Sequence, residues 1–336
     1  MRKVRALVDM RTVAAFVRVV GIVFGLVAAS HGWAETYPSR PITVVVPYPA
    51  GGGVDIITRY VANELGTKLN QTVIVKNEPG GSGIIGTRDV ARAAPDGYTI
   101  LATDLGPLVT LPHLDKTLGY DPLTDFAPIS LLSQLPEDFL VTAALPVKSF
   151  QEFLTLAKSK PKSELMTYAT LGKGSFIQLS MERLKRAAGM DLIPVPYNGA
   201  PAAARGVATG EVQAILIGIN SMLPFVQNGQ IRALATGGTT REAVLPDVPT
   251  FDEAGVKGFT SYAWFALLMP AGTDKNIITR LSKEVQQILA TADIKEKFAK
   301  IGMEAVGSSS EQLTTYIKEE YATWGKVVKD ADVHLE

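Results

Sequence analysis

The sequence contains no cysteine, and this absence removes two kinds of chemistry from consideration. Without cysteine the chain has neither disulfide bonds nor a thiol nucleophile, and it offers no acceptor for a lipid anchor. Histidine is almost as scarce, because only His113 and His334 follow the N-terminal segment. Since no motif groups them as zinc ligands or as part of a catalytic triad, we expect neither a metal site nor a hydrolytic centre.

The apolar run near the N-terminus is too short to span a membrane. It extends from Val19 to Ala29, whereas a spanning helix needs about 20 apolar residues. It follows five basic residues and precedes Gly32-Trp33-Ala34, which is the layout of a cleavable secretory signal peptide. We therefore expect residues 1–34 to be removed near Ala34 after export. A start at Met10 instead of Met1 would leave the same mature chain.

An excess of positive charge is also missing. The whole chain has 33 basic and 33 acidic residues, and removal of residues 1–34 leaves 28 and 32, for a net charge of −4. Nucleic acids and anionic membrane surfaces are bound by basic faces. We therefore expect neither as a partner.

After Pro41 the chain alternates short β-rich runs with helical patterns. The first runs are Ile42–Val46, Thr72–Val75 and Tyr98–Ala102, and the helix between the first two repeats apolar residues at Ile57, Val61, Leu65 and Leu69. A second helix is expected over Ile84–Ala93. Strand, helix and strand in alternation predict an α/β lobe with a mainly parallel sheet flanked by helices.

A second alternating series indicates a second lobe of the same kind. It begins at the capping box Ser149–Glu152, and its strands lie near Met166–Ala169, Leu192–Val195 and Val212–Gly218. Two amphipathic helices, starting at Asp274 and at Ser308–Glu311, are expected to return to the first lobe. That return requires two crossings, for which Ile129–Leu140 and Phe259–Met269 are the candidates. We therefore predict lobe 1 from 35–135 with 259–336 and lobe 2 from 136–258.

Loops of small residues follow the strands in both lobes. Glycine lets a backbone approach a ligand closely, and the first turn of a helix presents N–H groups that attract an anion. Because the carboxyl ends of strands are where open α/β sheets bind ligands, these loops predict a cleft for an anionic solute between the lobes. The candidate binding residues are Tyr48, Pro49, Ala50, Gly51, Gly52, Gly53, Asp55, Ser82, Gly83, Thr103, Asp104, Gly174, Ser175, Tyr197, Asn198, Gly199 and Ala200.

A dinucleotide-binding enzyme is one alternative interpretation. The stretch Gly81–Gly86 formally matches the dinucleotide fingerprint, and Asp104 follows at about the spacing of a ribose-binding acid. However, Lys76–Gly80 separates the preceding strand from the first glycine, which should follow the strand directly. The loops also offer few acid–base pairs, so we expect no cofactor and no enzymatic activity.

Six motifs follow one another in a fixed order along the chain, namely Tyr37–Ile42, Pro47–Asp55, Asn77–Gly83, Ala94–Thr99, Val195–Ala200 and Leu245–Gly255. Together they resemble the Bug family of periplasmic receptors, the solute-binding components of tripartite tricarboxylate transporters. The resemblance implies a Venus-flytrap fold in the periplasm that captures a small carboxylate near Tyr48–Gly53 for transporter subunits in the inner membrane. We expect the receptor to be a monomer. A receptor that presents its ligand to a sensor kinase stays open as an alternative.

The chain departs from the family pattern at two places in the second lobe. The family often has a histidine where this chain has Gln178, and an Asp-Asn pair where it has Ile217-Gly218. A more apolar wall at Ile217 suits a larger or aromatic acid as well as it suits a dicarboxylate or an amino acid.

Overall fold

The computed structural model describes residues 37–172 and 174–331. The fold described here is that of the unit that begins at Arg40. The predicted signal peptide, both start sites, Lys173 and His334 lie outside the described residues. Within the described ranges, no helix combines the length and the apolar character that a membrane crossing requires.

Eleven strands form two sheets in the described part of the chain. The first sheet has the order β11-β4-β10-β3-β1-β2 and the second has the order β7-β6-β8-β5-β9. The strands are β1 (Ile42–Val46), β2 (Val73–Asn77), β3 (Thr99–Asp104), β4 (Phe126–Pro136), β5 (Asp138–Thr142), β6 (Thr167–Thr170), β7 (Ile193–Pro196), β8 (Ala214–Ile217), β9 (Ile231–Thr236), β10 (Tyr262–Pro270) and β11 (Glu304–Ala305).

Helices flank both sheets, so the predicted α/β class is confirmed. Among the described residues they are α1 (Gly53–Leu69), α2 (Ile84–Ala91), α3 (Leu111–Leu114), α4 (Phe150–Ser159), α5 (Phe176–Ala188), α6 (Ala200–Thr209), α7 (Leu223–Gln227), α8 (Lys275–Ala290), α9 (Ala292–Ala299) and α10 (Ser310–Ala331), and a wide helical turn spans Gly106–Thr110.

Both sheets are mixed rather than mainly parallel, which corrects one detail of the sequence prediction. Parallel pairing joins β1 to β2 and β3, and β6 to β7 and β8. The strands that bring the chain across between the sheets, β4, β5 and β10, pair antiparallel with their neighbours. A strand that arrives from the other sheet enters from the opposite end, and local sequence patterns carry no information about that direction.

Local signals place the helix ends where the sequence predicts them. The apolar residues Ile57, Val61, Leu65 and Leu69 are all buried on one face of α1. In the capping box before α4, the Glu152 N–H donates to Ser149 Oγ at 3.2 Å and the Lys148 N–H donates to Glu152 Oε2 at 2.7 Å. These contacts satisfy amide groups that the first turn of a helix leaves without partners.

The C-terminal helices return to the first sheet, as predicted. Helix α8 packs on β4 and α1, and α10 packs on β4 and the Gly106–Thr110 turn. The cap of α10 lies one residue later than the sequence suggests, because Ser309 Oγ accepts from the Gln312 N–H at 3.2 Å and Gln312 Oε1 accepts from the Ser309 N–H at 2.8 Å.

The two sheets are joined by backbone crossings at Glu137 and Ser261. The Glu137 N–H donates to the Ser261 carbonyl at 2.9 Å, and Ser261 Oγ donates to Glu137 Oε2 at 2.6 Å. Both crossings fall inside the predicted stretches. Because Glu137 is fully buried, desolvation raises the pKa of its carboxyl to about 7. The pKa of Asp138 is also raised well above its usual range, mainly by burial and secondly by the nearby Glu242 carboxylate.

Candidate functional site

A cavity lies where the loops of the two sheets meet. The cavity has a volume of about 50 Å³. Residues from both sheets and their flanking helices line it: Tyr48, Pro49, Gly52, Gly53, Val54, Asp104, Leu135, Leu171, Phe176, Ile177, Gly199, Ala200, Ile217, Gly218, Asn220, Ser221, Ala263 and Phe265.

Two helices that line this cavity begin at glycine residues without side-chain caps. Helix α1 begins after Gly52 and α6 begins after Gly199, and neither N-cap residue makes a side-chain hydrogen bond to its helix. The first N–H groups of a helix have no partner within it and carry part of the positive end of the helix dipole. Since Gly52, Gly53, Gly199 and Ala200 all line the cavity, both lobes bring anion-attracting backbone to the same space.

The loop after β1 also carries an aromatic hydroxyl into the cavity wall. The Tyr48 hydroxyl donates to Asp104 Oδ1 at 2.8 Å, and the Gly106 N–H donates to the same oxygen at 2.8 Å. Burial raises the pKa of Asp104 to about 7, although both hydrogen bonds oppose this shift. The pKa of Tyr48 is likewise raised well above its usual value, mainly by burial and secondly by the charge of Asp104.

Gly83 makes room for this hydroxyl. Its φ angle is +96°, a conformation that favours glycine, and a Cβ atom there would lie 2.8 Å from Tyr48 Oη and 2.9 Å from Pro107 Cγ. Gly83 is therefore needed for the packing of Tyr48, although it does not line the cavity itself.

Asp55 supports the first loop from beneath. Its carboxylate accepts from the Gly51 N–H at 2.9 Å, from Asn77 Nδ2 at 2.9 Å and from Arg59, with which it forms an ion pair at 2.9 Å. Burial acts to raise the pKa of Asp55, but hydrogen bonds from Arg59, Gly51 and Asn77 outweigh it and hold the pKa below its usual value. These contacts fix the loop, and Asp55 does not line the cavity.

The two lobes touch at the mouth of the cavity. Ser82 Oγ donates to the Leu171 carbonyl at 3.3 Å, and a Cβ atom on Gly199 would lie only 2.9 Å from Pro49 Cγ. Ser82 therefore serves as a contact between the lobes.

The other predicted site residues lie outside the cavity wall. Ala50, Gly51 and Asn198 are exposed, Thr103 is buried on β3, and Tyr197 packs its ring against Gly206 of α6. Ser175 caps α5, since its Oγ accepts from the Gln178 N–H at 3.4 Å, and the Gly174 N–H donates to Gln178 Oε1 at 2.7 Å. Seven predicted residues do line the cavity, namely Tyr48, Pro49, Gly52, Gly53, Asp104, Gly199 and Ala200.

Comparison with known proteins decides the family. Residues 57–333 match the tripartite tricarboxylate transporter family receptor, TctC. The chain belongs to this family. A TctC chain is a substrate-binding receptor and not an enzyme, and receptors of this family are periplasmic. The predicted resemblance is confirmed, and the dinucleotide-binding alternative is not supported.

Relatives and solved structures agree with the family. The chain is 31% identical to protein BugT of Bordetella pertussis over 304 residues, which is 90% of this chain and 93% of BugT. It is similar to the structure of R. palustris Rpa4515 with adipate, at a TM-score of 0.85 and 33% identity over 89% of this chain and 99% of the other. It is also similar to the structure of MatC from Rhodopseudomonas palustris with bound malate. The TM-score is 0.81 and the identity 31%, over 87% of this chain and 100% of MatC.

Both departures from the family pattern have structural consequences in this TctC chain. Gln178 closes a capping box with Ser175 at the start of α5, so it holds the loop that ends at Gly174. Ile217 and Gly218 line the cavity, together with Leu135, Phe176 and Phe265. The wall on this side is apolar. Asn220 and Ser221, which follow it, are polar residues of the cavity that the sequence analysis missed.

Proposed function

We propose that this protein is an exported receptor that holds a small organic carboxylate in the cavity between its lobes and releases it unchanged. The observation that carries the proposal is the meeting of two uncapped helix N-termini, at Gly52 and Gly199, on one cavity. A carboxylate placed there accepts hydrogen bonds from backbone N–H groups and interacts with two favourable helix dipoles. Relatives of this fold were solved with adipate and with malate.

The remainder of the solute lies against an apolar wall in this proposal. Leu135, Phe176, Ile217 and Phe265 line the cavity, and no lysine, arginine or histidine does so among the described residues. A second carboxylate on this side would lose hydration without gaining a cation. We therefore favour solutes with one carboxylate and an apolar or aromatic body.

Binding would be coupled to closure of the lobes about Glu137 and Ser261. We assign lobe 1 to residues 35–135 with 259–336 and lobe 2 to residues 136–258, a division supported by the end of β4 at Pro136 and the start of β10 at Tyr262. A solute that contacts both N-termini stabilises the closed arrangement over the open one.

Export and delivery complete the proposal. Residues 1–34 would direct the chain to the periplasm and be cleaved near Ala34, and the closed receptor would deliver its solute to the membrane subunits of a tripartite transporter. Membership in the TctC family supports this destination.

A thermal-shift panel tests the binding function. The mature protein is heated with adipate, malate, succinate, 3-phenylpropanoate, 4-methylpentanoate and benzoate, each paired with its neutral amide. We expect at least one acid to raise the melting temperature in a concentration-dependent manner, while its amide does not. Equal shifts with acids and amides, or no shift with any acid at 10 mM (roughly 100-fold above a Kd of 100 μM), would contradict the proposal.

A further inference from the structure

Asp104 is a buried acid in the cavity wall with no cationic partner. Its side chain is 4% exposed, and within residues 37–172 and 174–331 it forms no ion pair. The described residues that line the cavity with it include no lysine, arginine or histidine. An isolated buried carboxylate is costly, and proteins normally pair it with a cation or with hydrogen bonds.

The hydrogen bonds to Asp104 satisfy only one of its two oxygens. Both the Tyr48 hydroxyl and the Gly106 N–H donate to Oδ1, each at 2.8 Å. Oδ2 accepts no hydrogen bond from the described part of the chain. Two donors at Oδ1 stabilise an ionised carboxylate, while burial opposes ionisation and brings its pKa to about 7. A cation arriving in the cavity would complete the site and favour the ionised form.

Asp104 lies close to the proposed anion site. Strand β3, which ends at Asp104, is the neighbour of β1 in the sheet, and Tyr48 in the loop after β1 contacts Asp104 directly. Gly52 and Gly53 of the same loop line the same cavity. The positive N-terminus of α1 and the side chain of Asp104 thus line the same cavity.

We propose that Asp104 binds a cationic amino group that the solute carries next to its carboxylate. The inference rests on the proposed function, because it assumes that the carboxylate lies at the start of α1. An α-amino acid has its ammonium and carboxylate groups on one carbon atom, so it can offer one charge to Asp104 and the other to the N–H groups at Gly52–Gly53, which line the same cavity. The rings of Tyr48, Phe176 and Phe265 also line the cavity, and the face of an aromatic ring attracts a cation.

This arrangement selects against solutes that lack the amino group. A simple carboxylate leaves Asp104 without a partner, and its negative charge then favours the protonated form of Asp104. An amino acid of the same body adds a charge-assisted hydrogen bond and an ion pair in a site screened from water. We expect the amino acid to bind at least tenfold more tightly.

Matched pairs of solutes test the inference by calorimetric titration of the mature protein. The pairs are L-phenylalanine with 3-phenylpropanoate, L-leucine with 4-methylpentanoate, L-aspartate with succinate and L-glutamate with glutarate. Each pair differs only in the amino group. The same titrations are made with Asp104→Asn, which keeps the shape of the side chain, and with Asp191→Asn, which changes an exposed acid in the second lobe.

In the pair that fits the cavity, we expect the amino acid to bind tenfold or more tightly than its deamino partner. The ratio should fall by tenfold or more in Asp104→Asn and stay at the wild-type value in Asp191→Asn. Deamino acids that bind as tightly as amino acids would overturn this inference and leave the carboxylate receptor standing. No binding by any member of either series would instead contradict the proposed function. The wild-type ratio alone decides the question if Asp104→Asn does not fold.

Discussion

The Tyr48 hydroxyl donates a 2.8 Å hydrogen bond to Oδ1 of Asp104. This contact joins the loop after β1 to the end of β3, so the two neighbouring strands present one continuous wall to the cavity. It depends on Gly83, since any Cβ atom there would lie within 2.8 Å of the hydroxyl. The Tyr48–Asp104 hydrogen bond therefore fixes the position of Asp104 relative to the loop that carries the proposed anion site.

The start of α1 should not tolerate a negative charge. Gly52 is buried, and a Cβ atom there would meet nothing closer than the Pro49 carbonyl at 3.6 Å, so an alanine fits. In Gly52→Asp the new carboxylate would cap α1 and occupy the N–H groups proposed for the solute. We expect Gly52→Asp to lose carboxylate binding by 100-fold or more without a lower melting temperature, whereas Gly52→Ala keeps affinity within about tenfold. Calorimetric titration and circular dichroism measure both, and unaltered affinity in Gly52→Asp would place the anion elsewhere.

Closure should depend on Gly199 facing Pro49. Gly199→Ala adds a Cβ atom 2.9 Å from Pro49 Cγ and also strains a backbone with φ of +90°. Gly210 ends the same helix with φ of +78°, but its added Cβ atom would have only an ordinary contact at 3.6 Å with Thr142 Oγ1. We expect both alanine variants to lose about 1 to 2 kcal/mol of stability. Only Gly199→Ala should lose affinity, by tenfold or more, and equal affinities of the two variants would argue against the lobe contact.

Glu137 at the crossing should make stability depend on pH. Burial raises its pKa to about 7 in the folded protein, so its stabilising contribution is fully present below about pH 4.5 and is lost as the pH rises toward 7. The loss amounts to roughly 3 kcal/mol, from 1.36 kcal/mol per pH unit. Urea unfolding at pH 5 and pH 8 should show a smaller fall in the free energy of unfolding for Glu137→Gln than for wild type. Glu319→Gln, which changes an exposed acid, is the control. If the free energy of unfolding falls as much between pH 5 and pH 8 in Glu137→Gln as in wild type, the raised pKa of Glu137 is contradicted.

The stability that Asp55 contributes should change with pH in the direction opposite to that of Glu137. Its pKa is held below the usual value by Arg59, Gly51 and Asn77, so the stability it contributes is present above about pH 4 and is lost as the pH falls. We expect Asp55→Asn to lower the free energy of unfolding by about 2 kcal/mol at pH 7, and by less at pH 3. A loss that is the same at both pH values would show that the contribution of Asp55 does not depend on the charge of its carboxylate.

Much of the fold could be predicted from the sequence, and so could the glycine loops that bring backbone N–H groups to the cavity. Strand β1 matches its predicted bounds. The glycine loops at Gly52 and Gly199 could be recognised in the sequence, because each directly precedes the start of a helix. The mixed pairing of the sheets could not be predicted in this way. The direction of β10 is set by where the chain has travelled since β3, which no local pattern records.

The apolar half of the cavity could not be predicted either. Leu135, Ile217 and Phe265 lie on three different strands and look like ordinary core residues in the sequence. Only the way the strands meet at the crossings brings their side chains into one wall. By contrast, two predicted site residues have local structural roles. The Ser175 side chain caps α5, and the Asp55 side chain, in the first turn of α1, holds the first loop.

Native mass spectrometry of the mature protein, purified from the periplasm and then denatured to release bound molecules, tests the central claim most directly. We predict one small molecule with a carboxylate per chain in the wild type, and none in Gly52→Asp purified in parallel. A released molecule without a carboxylate, or the same carboxylate retained by Gly52→Asp, would contradict a receptor that holds its solute at the start of α1.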